Sequence, residues 1–105
     1  MGCIVIVAYR PKPDKSIALK QLMKTHIPIL KQEGLVTDRA SVIMETKDGT
    51  IVEVFEWLSE EAIQQAHKNP VVLKMWEEYF EVCDIVPLDT LSEANTMFAS
   101  FTPIN

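Results

Sequence analysis

From Cys3 to Arg10 the chain reads Cys-Ile-Val-Ile-Val-Ala-Tyr-Arg, with no charged side chain before the last position. Alternation would put Cys3, Val5, Val7 and Tyr9 on one face and Ile4, Ile6 and Ala8 on the other, so the stretch predicts a strand buried on both sides. Pro11 and Pro13 end it. Between Asp14 and Glu33 the period changes. Leu19, Leu22, Met23, His26, Ile27 and Leu30 fall on one side of a helix, and Lys20, Gln21, Lys24 and Lys31 on the other. Pro28 removes one helical hydrogen bond and crowds the carbonyl of Lys24, which predicts a kink or short break. Gly34 is a natural stop.

Arg39 to Thr46 and Thr50 to Leu58 read as two strands around Lys47-Asp48-Gly49. A two-residue Asp48-Gly49 loop places Met44 opposite Glu53 and Val42 opposite Phe55. One face then carries Ala40, Val42, Met44, Thr46, Ile51, Glu53, Phe55 and Trp57, with Glu53 its single ionisable group. A three-residue loop would spoil this assignment. Ser59 suits an N-cap, followed by Glu60 and Glu61 in a first helical turn. Asn69-Pro70 is a second start signal. Beyond it Lys74, Glu77, Glu78 and Glu81 form a wet stripe, and Val72, Leu73, Trp76, Tyr79, Phe80 and Cys83 a dry one. Asp84 to Thr96 reads as a connector with a turn of helix near Ser92, and Met97 to Thr102 as a last short strand.

Strand, helix, strand, strand, helix, strand is the α+β, ferredoxin-like βαββαβ plan, with a four-stranded antiparallel sheet in a single domain over residues 1–105. Two helices can cover only one face of such a sheet. The first strand is apolar on both faces, and the hairpin's second face still carries Ile43, Val52, Val54 and Leu58, a dry surface too large to leave in water. A homodimer packed sheet to sheet through this open face is the economical solution.

Composition narrows the class. A hydrophobic content of 48% and charged content of 24% over 105 residues are those of a globular domain. A formal net charge of −5 argues against nucleic acid and against anionic membrane surfaces as partners. No apolar run approaches the roughly 18 residues needed to span a bilayer. The N-terminal run has no basic residue before it and makes a poor signal peptide, so a soluble cytoplasmic protein is expected. Cys3 and Cys83 are the two cysteines and form no CxxC pair. They read as small hydrophobes, and no metal site is expected.

Four segments carry a resemblance: His26-Ile-Pro-Ile-Leu-Lys-Gln-Glu-Gly-Leu35, the junction Val52 to His67, Lys68-Asn-Pro-Val-Val72, and Phe98-Ala-Ser-Phe-Thr-Pro-Ile104. Through them the chain resembles the antibiotic biosynthesis monooxygenase-like family of the dimeric α+β barrel superfamily. The resemblance covers nearly the whole chain and implies a pocket between sheet and helices in each protomer. It also implies cofactor-free oxygenation of aromatic or phenolic compounds, in which an electron-rich substrate activates oxygen once deprotonated. The family's pocket Trp is matched by Trp57. Its Asn position holds Glu53, its Tyr falls on Ile63 and its Arg on Trp76, so most of the polar set is missing. The axial His and partner Trp of haem-degrading relatives fall on Trp76 and Ala66, which disfavours haem.

The candidate site residues follow. Glu53, set among apolar neighbours, would be desolvated, and a desolvated carboxylate is a candidate general base; the alternative is a paired structural Glu. His67 could take a phenolic proton near neutral pH, or simply cap a helix end. Trp57 and Trp76 could stack against a substrate, with Tyr79 and Tyr9 at its edges, or pack as plain core. His26, on the dry stripe of its helix, reads as a satisfied core histidine. Against a small-molecule enzyme or binder stands a non-catalytic ligand-sensing or dimerisation module, which a cavity filled by Trp57, Trp76 and Phe80 would favour. An RNA-binding domain of this plan is discouraged by the acidity, and a metal chaperone by the missing CxxC.

Overall fold

The computed structural model describes residues 2–105. The apolar N-terminal run is strand β1 (Cys3–Pro11), followed by helix α1 (Ser16–Gln32). α1 buries Leu19, Met23, His26 and Leu30, the core-facing stripe of an amphipathic helix. Asp14, at φ 63°, and a bond from Lys15 N to Lys12 O of 3.0 Å make the turn before it, so the helix begins at Ser16 and not at Asp14. It continues through Pro28 unbroken. Gly34 takes φ 72°, and Gly34 N meets Lys31 O while Leu35 N meets Leu30 O, both at 3.0 Å. These are the paired bonds of a Schellman stop.

The hairpin strands β2 (Val42–Glu45) and β3 (Ile51–Trp57) pair with Ile43 opposite Glu53 and Met44 opposite Val52. The expected Met44–Glu53 register is therefore off by one residue. The loop has three residues, Lys47, Asp48 and Gly49, closed by Thr46 N on Thr50 O at 2.9 Å, with Gly49 at φ 92°. Thr46 Oγ1 and Asp48 Oδ1 both accept from Thr50 N, at 2.9 and 3.1 Å, which holds the longer loop closed. The slip exchanges faces: Ile43 and Glu45 share the side of Glu53, and Val42 and Met44 turn to the other.

Helices α2 (Glu60–Ala66) and α3 (Pro70–Val82) start at the expected caps. Ser59 Oγ accepts from Ala62 N at 3.1 Å; Asn69 Oδ1 accepts from Val71 N at 2.9 Å and Val72 N at 3.2 Å. After Val82 the chain departs from the reading above. Cys83 is extended (φ −153°, ψ 168°), and β4 (Cys83–Val86) pairs antiparallel with β1. The fourth strand of the plan thus lies in the expected connector. Of Met97 to Thr102, where that strand was expected, only Thr102 pairs, in the two-residue β5 (Thr102–Pro103) beside β2. Four residues that include Asp84 carry no period to read. Their place is set by α3 and β1, with Lys12 N bonded to Val82 O at 2.9 Å and Lys12 Nζ to Phe80 O at 2.7 Å. Short 3₁₀ turns at Leu88–Thr90 and Ser92–Asn95 follow, the second near Ser92 as expected.

The sheet has five strands in the order β4-β1-β3-β2-β5, all antiparallel, in place of the expected four. Its first four strands and the helices are consistent with a ferredoxin-like α+β fold. The helices cover the face that carries Tyr9, Ile51, Glu53, Phe55 and Trp57 and form the main core there. On the other face Ala8 and Val52 are sealed by Leu91, with Met44, Val86 and Phe101 around them. Ile4, Ile6 and Val42 on that side remain 55, 49 and 47% exposed, so within one chain β1 is not buried on both faces. Among the described residues no helix is long and apolar enough to cross a membrane.

Candidate active site

Between α3 and the sheet lies a cavity of about 430 Å³, lined by Tyr9, His26, Trp57, His67, Leu73, Trp76, Tyr79, Phe80 and Ile85. Five elements and one helix cap contribute to it. β1 supplies Tyr9, β3 ends at Trp57, β4 supplies Ile85, and α1 supplies His26 from its buried stripe. α3 presents Leu73, Trp76, Tyr79 and Phe80, which its i, i+3, i+4 spacing sets on one side. His67 is the C-cap of α2. Five of the six site residues read from the sequence therefore meet around one space: Tyr9, Trp57, His67, Trp76 and Tyr79.

The sixth does not line it. Glu53 is fully enclosed, 0% exposed, behind the wall made by Tyr9 and His26. Its carboxylate accepts from Tyr9 Oη at 2.9 Å and from His26 Nδ1 at 2.9 Å to Oε1 and 3.1 Å to Oε2. A carboxylate taken out of water is tolerable only with such donors. The expectation of Glu53 as a base facing a substrate is corrected to that of a group that reaches the cavity through two neighbours. The expected neighbour Met44 is replaced by Ile43 through the register slip.

Aromatic edges enclose this polar group. The His26 ring stands edge-on to Phe55 (centroids 5.5 Å), Tyr79 (5.4 Å) and Tyr9 (6.3 Å). Burial, and secondarily the Glu53 charge, hold the Tyr9 phenol well above its usual range; the same two causes in the same order raise Tyr79. Both tyrosines are therefore neutral hydrogen-bond donors at ordinary pH. Tyr9 spends its donor on Glu53, whereas the buried Tyr79 hydroxyl has no partner among the described residues. At the outer edge His67 is exposed, bonds through Nδ1 to Ile63 O at 2.8 Å, and stands edge-on to Trp76 at 5.0 Å.

His26 is the site residue that sequence reasoning missed. It does lie in the core, but against a carboxylate from β3 and on the cavity wall. A usable signal was present: one acid and one imidazole predicted on dry faces must find each other or carry the cost of burial alone. A larger cavity, about 560 Å³, flanks α1 on the side of Lys20 and Lys24, with Ile43 and Asn105 opposite. It contains none of the buried polar group and is the weaker candidate. Among the described residues no cluster of three or more His, Cys, Asp or Glu could hold a metal ion.

No family model matches the chain, and no curated protein matches it. In three dimensions it is similar to the structure of Rv0793 from Mycobacterium tuberculosis, with a TM-score of 0.66 over 82% of this chain and 89% of that one. At 22% identity the likeness is one of fold.

Proposed function

We propose that this chain is a small-molecule-binding homodimer of the antibiotic biosynthesis monooxygenase-like type, and that it acts on an aromatic or phenolic compound without a cofactor. The observation that carries the reading is the cavity itself. Trp57, Trp76 and Phe80 line an open space instead of filling one, and a buried acid–base group lies directly behind its wall. Planar apolar walls suit an aromatic ring. Neutral phenols and an imidazole suit a hydroxyl on that ring. Homodimerisation is supported by the uncovered Ile4, Ile6 and Val42 on the sheet's second face. For an electron-rich phenol, loss of the proton makes the ring a reductant for dioxygen. The substrate supplies all four electrons: two of its hydrogens, at least one of them from the reacting ring carbon, leave with one oxygen atom as water, and the other oxygen atom becomes a new quinone carbonyl on that carbon.

Both tryptophans of the chain border the cavity, so their emission reports occupancy. Titration with 2-naphthol and with 1,8-dihydroxyanthrone is expected to quench it saturably, and the anthrone is expected to draw oxygen from solution faster with protein than without. Absence of saturable quenching by either compound sinks the reading. Quenching without oxygen uptake leaves the binding pocket and selects the non-catalytic sensing alternative.

A further inference from the structure

We propose that His26 is the proton acceptor of this cavity and that Glu53 and Tyr9 are its positioning residues; the proposal rests on the small-molecule reading above. The geometry fixes the imidazole. With a carboxylate at 2.9 Å from Nδ1, the proton of the neutral ring sits on Nδ1 and the lone pair on Nε2. Nε2 has no hydrogen-bond partner among the described residues, while the ring lines the cavity at 3% exposure. A lone pair is thus presented to a ligand where bulk water is nearly excluded. Tyr9, donating to the same carboxylate at 2.9 Å, keeps Glu53 from turning away.

His67 is the competing imidazole and is the poorer one. Its Nδ1 is held by a neutral carbonyl, Ile63 O, and its ring is exposed. The cation formed on proton uptake would there meet no carboxylate. At His26 it meets Glu53 at once, an ion pair in a low-dielectric setting. In the step itself the ligand's phenolic O–H bond breaks, its electron pair stays on oxygen as phenolate, and an N–H bond forms at Nε2. The negative charge passes to the ligand while imidazolium and carboxylate neutralise each other, and return of the proton closes the cycle. The titratable groups facing His26 are Glu53 from β3, Tyr9 from β1 and Tyr79 from α3; His67 is the other titratable side chain on the cavity wall.

The test uses 7-hydroxycoumarin, whose phenol and phenolate absorb at different wavelengths, bound to the full chain, with histidine nitrogens followed by 15N NMR. Bound coumarin is expected to ionise about one pH unit below the free compound, an effect of the size a nearby opposite charge produces, and the His26 Nε2 resonance is expected to move as the site fills. His26→Gln should still quench tryptophan emission but lose the shift, a roughly tenfold fall in the phenolate-to-phenol ratio at a fixed pH. In Glu53→Gln the amide can donate to Nδ1, so the proton should move to Nε2, the 15N tautomer signature should invert, and the shift should be lost. Retention of the shift in His26→Gln with its loss in His67→Ala overturns the proposal. An unmoved His26 Nε2 at saturation does the same, and this reading on the unmodified chain decides the matter should the variants not fold. Coumarin binding with neither effect sinks this inference and spares the binding pocket; failure of every phenol to quench takes both.

Discussion

Glu53 stands in the middle of the central strand, between Val7 on one neighbour and Ile43 on the other, with no exposed surface. Its neighbours Tyr9 and His26 make it tolerable there, and the dependence is measurable. Tyr9→Phe removes one of two donors to a buried carboxylate and should cost about 1–3 kcal/mol in chemical unfolding. A loss below about 0.5 kcal/mol would mean that Glu53 does not need the bond. The same residue carries a pH dependence. The folded chain holds the Tyr9 and Tyr79 phenolic protons above their ordinary value of 10.0, and burial pushes the Cys83 thiol from 9.0 up to about 11. In that range the unfolded chain has released protons that the folded chain keeps. Stability is therefore intact below about pH 9 and falls as pH rises beyond it. Denaturant midpoints measured from pH 8 to 11 should show this decline, with a shallower slope in Tyr9→Phe; a flat profile contradicts it.

Asn69 belongs to the scale of elements. Its Oδ1 caps α3 through Val71 N and Val72 N, and its Nδ2 donates to Glu33 Oε1 at 3.0 Å, tying the start of α3 to the end of α1. α3 supplies four of the cavity's lining side chains, so the cap also sets the site. Asn69→Ala should destabilise by about 1–2 kcal/mol. Asn69→Asp keeps the acceptor but places a second acid against Glu33, and should lie between the two in urea midpoint. Equal midpoints for Asn69→Ala and the parent chain would deny the cap its role. The hairpin teaches a complementary lesson. Lys47-Asp48-Gly49 marks a turn plainly, yet the count of loop residues depends on the Thr46 and Asp48 bonds to Thr50 N, and a difference of one residue decides which side of β2 meets the cavity side of the sheet.

At the scale of the whole molecule, the sheet's second face is covered in part by the chain's own C-terminal segment through Leu91 and Phe101. The remaining patch around Ile6 and Val42 is the surface assigned to the proposed homodimer. Ile6→Lys places a charge at its centre, where burial without a partner is costly. Sedimentation is expected to give twice the chain mass for the parent and the single-chain mass for the variant, with the cavity's ligand quenching retained. A parent chain that sediments as a single subunit at micromolar concentration would remove the dimer from the proposal.

The local periods, the caps at Ser59 and Asn69 and the stop at Gly34 were legible in the sequence, because each rests on side chains within a few residues of the backbone groups they satisfy. So was the convergence of Trp57, Trp76, Tyr79 and Tyr9, since helix and strand faces fix which residues look toward the core. Tertiary structure decided the hairpin register and the place of β4, and it joined His26 to Glu53, a pairing that the sequence signalled only through two polar residues on dry faces. The register turns on a one-residue loop count set by the side-chain bonds to Thr50 N, and the other two are contacts between residues distant in the chain, chosen by which hydrogen bonds remain to be satisfied once the helices have docked on the sheet.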